Sequence, residues 1–139
     1  MKKLFFTLFI LASGNLYAKP CNEVQVRIVF EGRPAVTKET LCSIKTPDNM
    51  LFYISKSCED KKCEILKRKK SKFEIKDYTG NLGSPGFKIC DELGGIPQIF
   101  EFSRGSDLWQ STERCLFNKN DFVEISLLTR EWKSFIKKD

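Results

Sequence analysis

Six cysteines and not one histidine limit what this chain can become more than any other feature in it. All six (Cys21, Cys42, Cys58, Cys63, Cys90 and Cys115) lie beyond an N-terminal stretch that reads as an export leader. Lys2 and Lys3 give a positive start, residues 4–12 an apolar core, and Leu16-Tyr17-Ala18 a cleavage site, so residues 1–18 are expected to be a signal peptide. The apolar run is short of the roughly 20 residues that span a bilayer, and Ser13, Gly14 and Asn15 interrupt it. Lys19 and Pro20 precede Cys21 where a lipoprotein site would need small residues. The expected product is periplasmic or secreted, with no transmembrane segment after cleavage. An even number of cysteines in such a compartment predicts three disulfides.

Zinc is the other use for such cysteines. Cys58 and Cys63 enclose Glu-Asp-Lys-Lys, a spacing that suits half a site. The second half is missing, and no histidine is present to complete it. No metal and no cofactor are expected.

Residues 84–95, SPGFKICDELGG, are the stretch around which the remaining elements arrange themselves. Ser84 suits a helix N-cap, Pro85 the first helical position, and Gly94-Gly95 a left-handed stop. Phe87, Ile89, Cys90 and Leu93 recur at three- and four-residue spacing, so one face is apolar and Cys90 lies on it. The surrounding chain reads as strands. Val24, Val26, Ile28 and Phe30 alternate with polar residues over 23–31, and residues 37–44 and 51–55 continue as strands. Residues 63–68 and 72–78 read as a hairpin joined by Lys69-Lys70-Ser71. After the helix, strands are expected at 96–102, 113–117 and 122–128. The tail, with Trp132, Phe135 and Ile136 at helical spacing, fits a docked final helix or a frayed end.

The expected fold class is therefore α+β: mostly antiparallel strands, one short central helix, an optional C-terminal helix, and disulfides. Residues 19–81 are expected to form an antiparallel meander and residues 82–139 a small α+β module, with the boundary at 79–83, or the two to make one compact unit. Six cysteines permit many pairings. The one that these elements argue for is Cys90 to Cys115, pinning the helix to a strand. Cys58–Cys63 and Cys21–Cys42 are the local choices for the rest.

Ser84-Pro85-Gly86, Cys90, Gly94-Gly95 and then Cys115 before a turn resemble a family of small bacterial cell-envelope domains that carries a haemolysin label and has no known function. In that family an Asn-Pro-Ala opening precedes the same Cys and Gly-Gly spacing, and a second cysteine leads into an Asp-Gly hairpin and a Cys-Glu-Glu-Trp. Cys90, Cys115 and Glu124 match the pattern; Asn120 stands for the hairpin glycine, Val123 for the third cysteine, and Ile125 and Ser126 for Glu and Trp. The resemblance covers about residues 82–128 and implies an envelope or secreted location and a small α+β module. It does not imply pore formation.

Without histidine, Ser-His-Asp and Cys-His catalysis are closed to this chain, and oxidised cysteines supply no thiolate. The acids are interleaved with lysines in the manner of a solvated surface. A non-enzymatic binding protein acting through surface contacts is the leading expectation. Its candidate site is the run Lys61, Lys62, Lys67, Arg68, Lys69, Lys70, Lys72 and Lys76, opposed by Glu64 and Glu74. A hairpin over 63–76 would gather Lys67, Arg68, Lys69, Lys70 and Lys72 at its tip, where an anionic envelope polymer or an unidentified protein could dock. Nothing places stacked aromatics beside the lobe, so specific nucleic-acid binding is not expected. Two alternatives are a protease inhibitor presenting residues 59–62 between bridges and a membrane-active, haemolysin-like protein.

Overall fold

A computed structural model describes residues 21–30, 32–74 and 84–137. The leader at 1–18, the boundary at 79–83 and Lys76 lie outside these residues.

The alternating stretch forms strand β1 (Cys21–Phe30), which turns at Gly32 (φ 75°) into β2 (Arg33–Lys45). A second turn, closed by Asn49 N–H to the Thr46 carbonyl at 2.8 Å, leads to β3 (Leu51–Ser55). The later half repeats the pattern. Strands β5 (Ile96–Ser103), β6 (Gln110–Leu116) and β7 (Phe122–Glu124) form another antiparallel meander. Between the meanders run a 3-10 segment (Lys56–Lys61), α1 (Glu64–Lys67), β4 (Phe73–Glu74) and α2 (Pro85–Glu92). After β7 come α3 (Ile125–Trp132), a 3-10 turn (Lys133–Phe135) and β8 (Ile136–Lys137).

The two meanders close on each other. First strands pair, β1 with β5 at Gln25–Ser103, Val26–Phe102 and Arg27–Glu101; third strands pair, β3 with β7 at Ile54–Val123. The order β1-β2-β3-β7-β6-β5 is a closed six-stranded antiparallel barrel. This overturns the α+β expectation: the helices are short additions to a β-barrel. The closing contacts join residues about seventy positions apart, beyond the reach of local patterns. Strands from both expected segments share this one barrel.

Side chains reinforce the sparse β3–β7 seam. Ser55 Oγ accepts from the Phe122 N–H at 3.0 Å and donates to its carbonyl at 3.2 Å. Glu124 accepts from the Tyr53 N–H at 2.6 Å. Each satisfies a backbone group that a ladder bond would otherwise have to meet.

Strand alternation divides the apolar residues between two cores. Val24, Val26, Leu41, Phe100, Phe102 and Phe122 fill the barrel. Cys42, Phe52, Ile54, Cys115 and Val123 point outwards and carry α2 and α3 through Ile89, Cys90, Ile125, Leu128 and Trp132. Gly86 lets the two helices meet: a Cβ there would overlap Ile125 Cγ2 and approach Thr129 Oγ1 to 2.9 Å.

Three local expectations are corrected. Residues 63–68 are not a strand, because Ile65 and Leu66 both pack inwards, a helical rather than alternating demand. Of the expected strand at 72–78, residues 75–78 lie outside the described residues and Phe73–Glu74 forms β4, parallel to β8; with a helical turn at Glu64–Lys67 in place of the first strand, the expected hairpin does not form. The strand expected at 122–128 stops at Glu124; Ile125, Leu128 and Trp132 are buried at helical spacing, and the tail docks through Trp132. Helix α2 begins at Pro85, yet Ser84 Oγ makes no hydrogen bond, and only its carbonyl engages the first turn.

Candidate functional site

Seven cations and one carboxylate occupy residues 61–72. The structure places them on a stapled turn, a helical turn and the irregular segment that follows it. The Cys58–Cys63 disulfide closes the first turn, in which Asp60 (φ 54°) and Lys61 (φ 57°) take left-handed backbone. Residues 59–62 thus form a tight turn closed by the bridge, with Asp60, Lys61 and Lys62 exposed.

Several of the predicted anion-binding residues have partners within the protein. Arg68 donates to the Leu93 carbonyl at 3.2 Å and lies 3.6 Å from Glu64. Lys70 Nζ meets Glu131 of α3 at 2.5 Å, and Lys61 reaches the same carboxylate at 3.7 Å. These contacts tie the basic connection to the helical layer. Lys67, Lys69 and Lys72 remain exposed, as does Lys62, which lies 3.4 Å from Asp60. Lys62, Glu64, Lys67 and Arg68 border an open depression of about 500 Å³. The structure therefore divides the predicted lobe: one part fastens the connection and the other faces outwards.

The hydrogen bond from Lys70 is the main cause holding the Glu131 carboxyl below its ordinary value of 4.5, with burial opposing it. A carboxylate with a lowered folded pKa contributes stability above its unfolded pKa and loses it as pH falls through the folded value. Glu131→Gln should flatten the acid limb of the stability curve in the window that opens at the ordinary carboxyl value of 4.5 and runs downward. Urea midpoints for both proteins across that window would check this; parallel curves would mean that the pair contributes nothing. Both side chains are 24% exposed, which limits the effect to about 1 kcal/mol or less.

A second group of polar residues escaped the sequence reading. Arg114 lies on β6 beside Cys115, and alternation sends these neighbours to opposite faces. Cys115 points to α2, whereas Arg114 points into the barrel and is only 4% exposed. Its guanidinium is 4.7 Å from the Phe100 ring centroid and 4.9 Å from that of Phe122. Nη1 donates to Glu39 at 2.8 Å and Nε to Gln98 at 3.1 Å. Buried charge is costly unless paired and hydrogen-bonded; here a carboxylate, an amide oxygen and two aromatic faces offset that cost. The signal available in the sequence was the pairing of Cys115 with the helix, which forces Arg114 to the other face.

The disulfides join Cys21 to Cys42, Cys58 to Cys63 and Cys90 to Cys115. The Cys21 and Cys42 sulfurs and a Glu59 carboxylate oxygen lie within 4.8 Å of one another, but the bonded sulfurs offer no thiolate to a metal. Among the described residues, no helix is long and apolar enough to cross a membrane. Compared with protein-family models, curated proteins and solved structures, the chain matches none, so the resemblance described above rests on its own residues.

Proposed function

We propose that this is an exported, non-enzymatic binding protein that meets an anionic envelope polymer through the basic connection between β3 and α2. The observation that carries this reading is the outward set Lys62, Lys67, Lys69 and Lys72, held on a connection fixed by the Cys58–Cys63 bridge and by the Lys70–Glu131 pair. A dense positive surface attracts polyanions and loses them as salt rises. A preorganised one loses less conformational freedom on binding than a mobile tail does. Three disulfides suit the oxidising compartment that the leader pattern implies. The resemblance over residues 82–128 points to the same envelope location.

The test is a triple charge reversal, Lys67→Glu, Lys69→Glu and Lys72→Glu, in the oxidised protein. On heparin and on anionic-lipid vesicles the parent should be retained, and should elute at clearly higher salt than the variant. All three positions are exposed, so the fold should tolerate the change. Identical elution of the two proteins would dismiss this surface.

A further inference from the structure

The buried arginine opens onto a cavity. Arg114 lines a cleft of about 590 Å³ at one end of the barrel, where Lys38, Lys56 and Lys119 also lie and Glu39 is the only carboxylate among the lining residues. The cleft lies where the β1–β2 hairpin runs beyond its pairing with the rest of the closed barrel. Pairing of β1 with β5 ends at Arg27–Glu101, and pairing of β2 with β3 begins only at Leu41–Ser55. The distal part of the β1–β2 hairpin therefore stands away from the other strands.

A guanidinium carries five N–H donors. Glu39 and Gln98 each take one, and no other hydrogen bond to Arg114 exists among the described residues. Among the described residues, the other three donors of this cation, only 4% exposed, have no protein acceptor, and the side chain borders the cleft. Lys56 and Lys119 are exposed at the rim and have no carboxylate partner among the described residues, while Lys38 lies 3.3 Å from the exposed Glu23. The wall also presents Phe122 and Leu116. A cleft with an apolar wall and a few convergent polar groups at a barrel mouth is a common form of small-molecule site.

We infer that the barrel mouth binds a small organic anion, with its carboxylate or phosphate group on Arg114 and its outer charge facing Lys56 and Lys119. Arginine matches these oxygens as a planar donor fork, and enclosure strengthens the contact relative to open water. Glu39 takes one Nη1 donor and Gln98 the Nε donor, which leaves Nη2 and the second Nη1 hydrogen for the ligand. Although Lys56 begins the connection that follows β3, the site uses none of Lys62, Lys67, Lys69 and Lys72, and it stands or falls independently of the polymer contacts proposed above.

Titration of the oxidised protein with citrate and with inorganic phosphate, observed by the Arg114 Nε–H resonance in NMR and by calorimetry, is the test. Saturable shifts at Arg114 that sodium chloride at matched ionic strength does not reproduce are expected with at least one probe. A preference for citrate would assign a carboxylate ligand, and one for phosphate a phosphorylated ligand. Lys56→Glu with Lys119→Glu, both exposed changes, should weaken binding about tenfold or more, whereas the triple reversal at Lys67, Lys69 and Lys72 should leave it unchanged. Absence of a saturable shift with both probes, or loss of binding only in that triple variant, would overturn the inference.

Discussion

Phe100→Ala is expected to cost about 3–5 kcal/mol of folding stability, the range for emptying a buried aromatic site. Phe100 is 1% exposed at the centre of the barrel core, 6.0 Å from Phe102 and 5.8 Å from Phe122 between ring centroids. Truncation leaves a void that a closed barrel cannot collapse into, since both neighbouring strands are paired. It also strips one aromatic face from the Arg114 guanidinium, whose charge is then less well compensated. For a chain of this size the loss corresponds to roughly 10–20 °C in Tm. The adjacent Ile99→Ala is the control, because Ile99 is 60% exposed on the outer face; its cost should be within about 0.5 kcal/mol. Urea denaturation of both variants decides the matter. Equal costs would mean that alternate residues of β5 do not divide between inside and outside, and the barrel would fall with that result.

Cys90→Ala combined with Cys115→Ala should lower stability by about 2–4 kcal/mol. The bridge spans 25 residues, so its loss frees a long loop in the unfolded chain, and both residues are 0% exposed in the folded one. Cys58–Cys63 spans only 5 residues, and by loop length its removal should cost less, about 2 kcal/mol. Calorimetric unfolding of the two double variants gives the ranking. A Cys90–Cys115 variant that melted with the parent would show that α2 is held by packing alone. The bridge also explains Gly95. A Cβ there would overlap Cys115 Sγ and come within 2.9 Å of Cys90 Sγ, so any side chain would push the helix end off the strand. Gly94 (φ 82°) serves the backbone instead. Its N–H donates to the Asp91 carbonyl and that of Gly95 to the Cys90 carbonyl, both at 2.9 Å, a Schellman stop.

Some of this was readable from residues close in sequence. Pro85 and the Gly94-Gly95 pair bounded α2, because helix starts and stops depend on local backbone chemistry. The alternation around Val24, Val26 and Ile28 marked β1 for a similar reason. Residues 63–74 misled because lysines tolerate either conformation when exposed, and only the burial of Ile65 and Leu66 against the outer core selects a helical turn. Residues 122–128 misled because Val123, Ile125 and Leu127 alternate as a strand would; α3 wins because Ile125, Leu128 and Trp132 meet α2 on one helical face.

The candidate sites divide in the same way. The density of positive charge at 61–72 is a property of composition, but which lysines face outwards depends on Glu131 and Leu93, 61 and 25 residues from their partners. By itself the chain determined its sulfur count, the two ends of α2 and the period of its strands, since each rests on covalent chemistry or on neighbours a few residues apart. Tertiary structure alone decided that the first and third strands of two meanders would pair. That closure turned Arg114 from a strand residue facing either solvent or core into a paired cation at the mouth of a barrel.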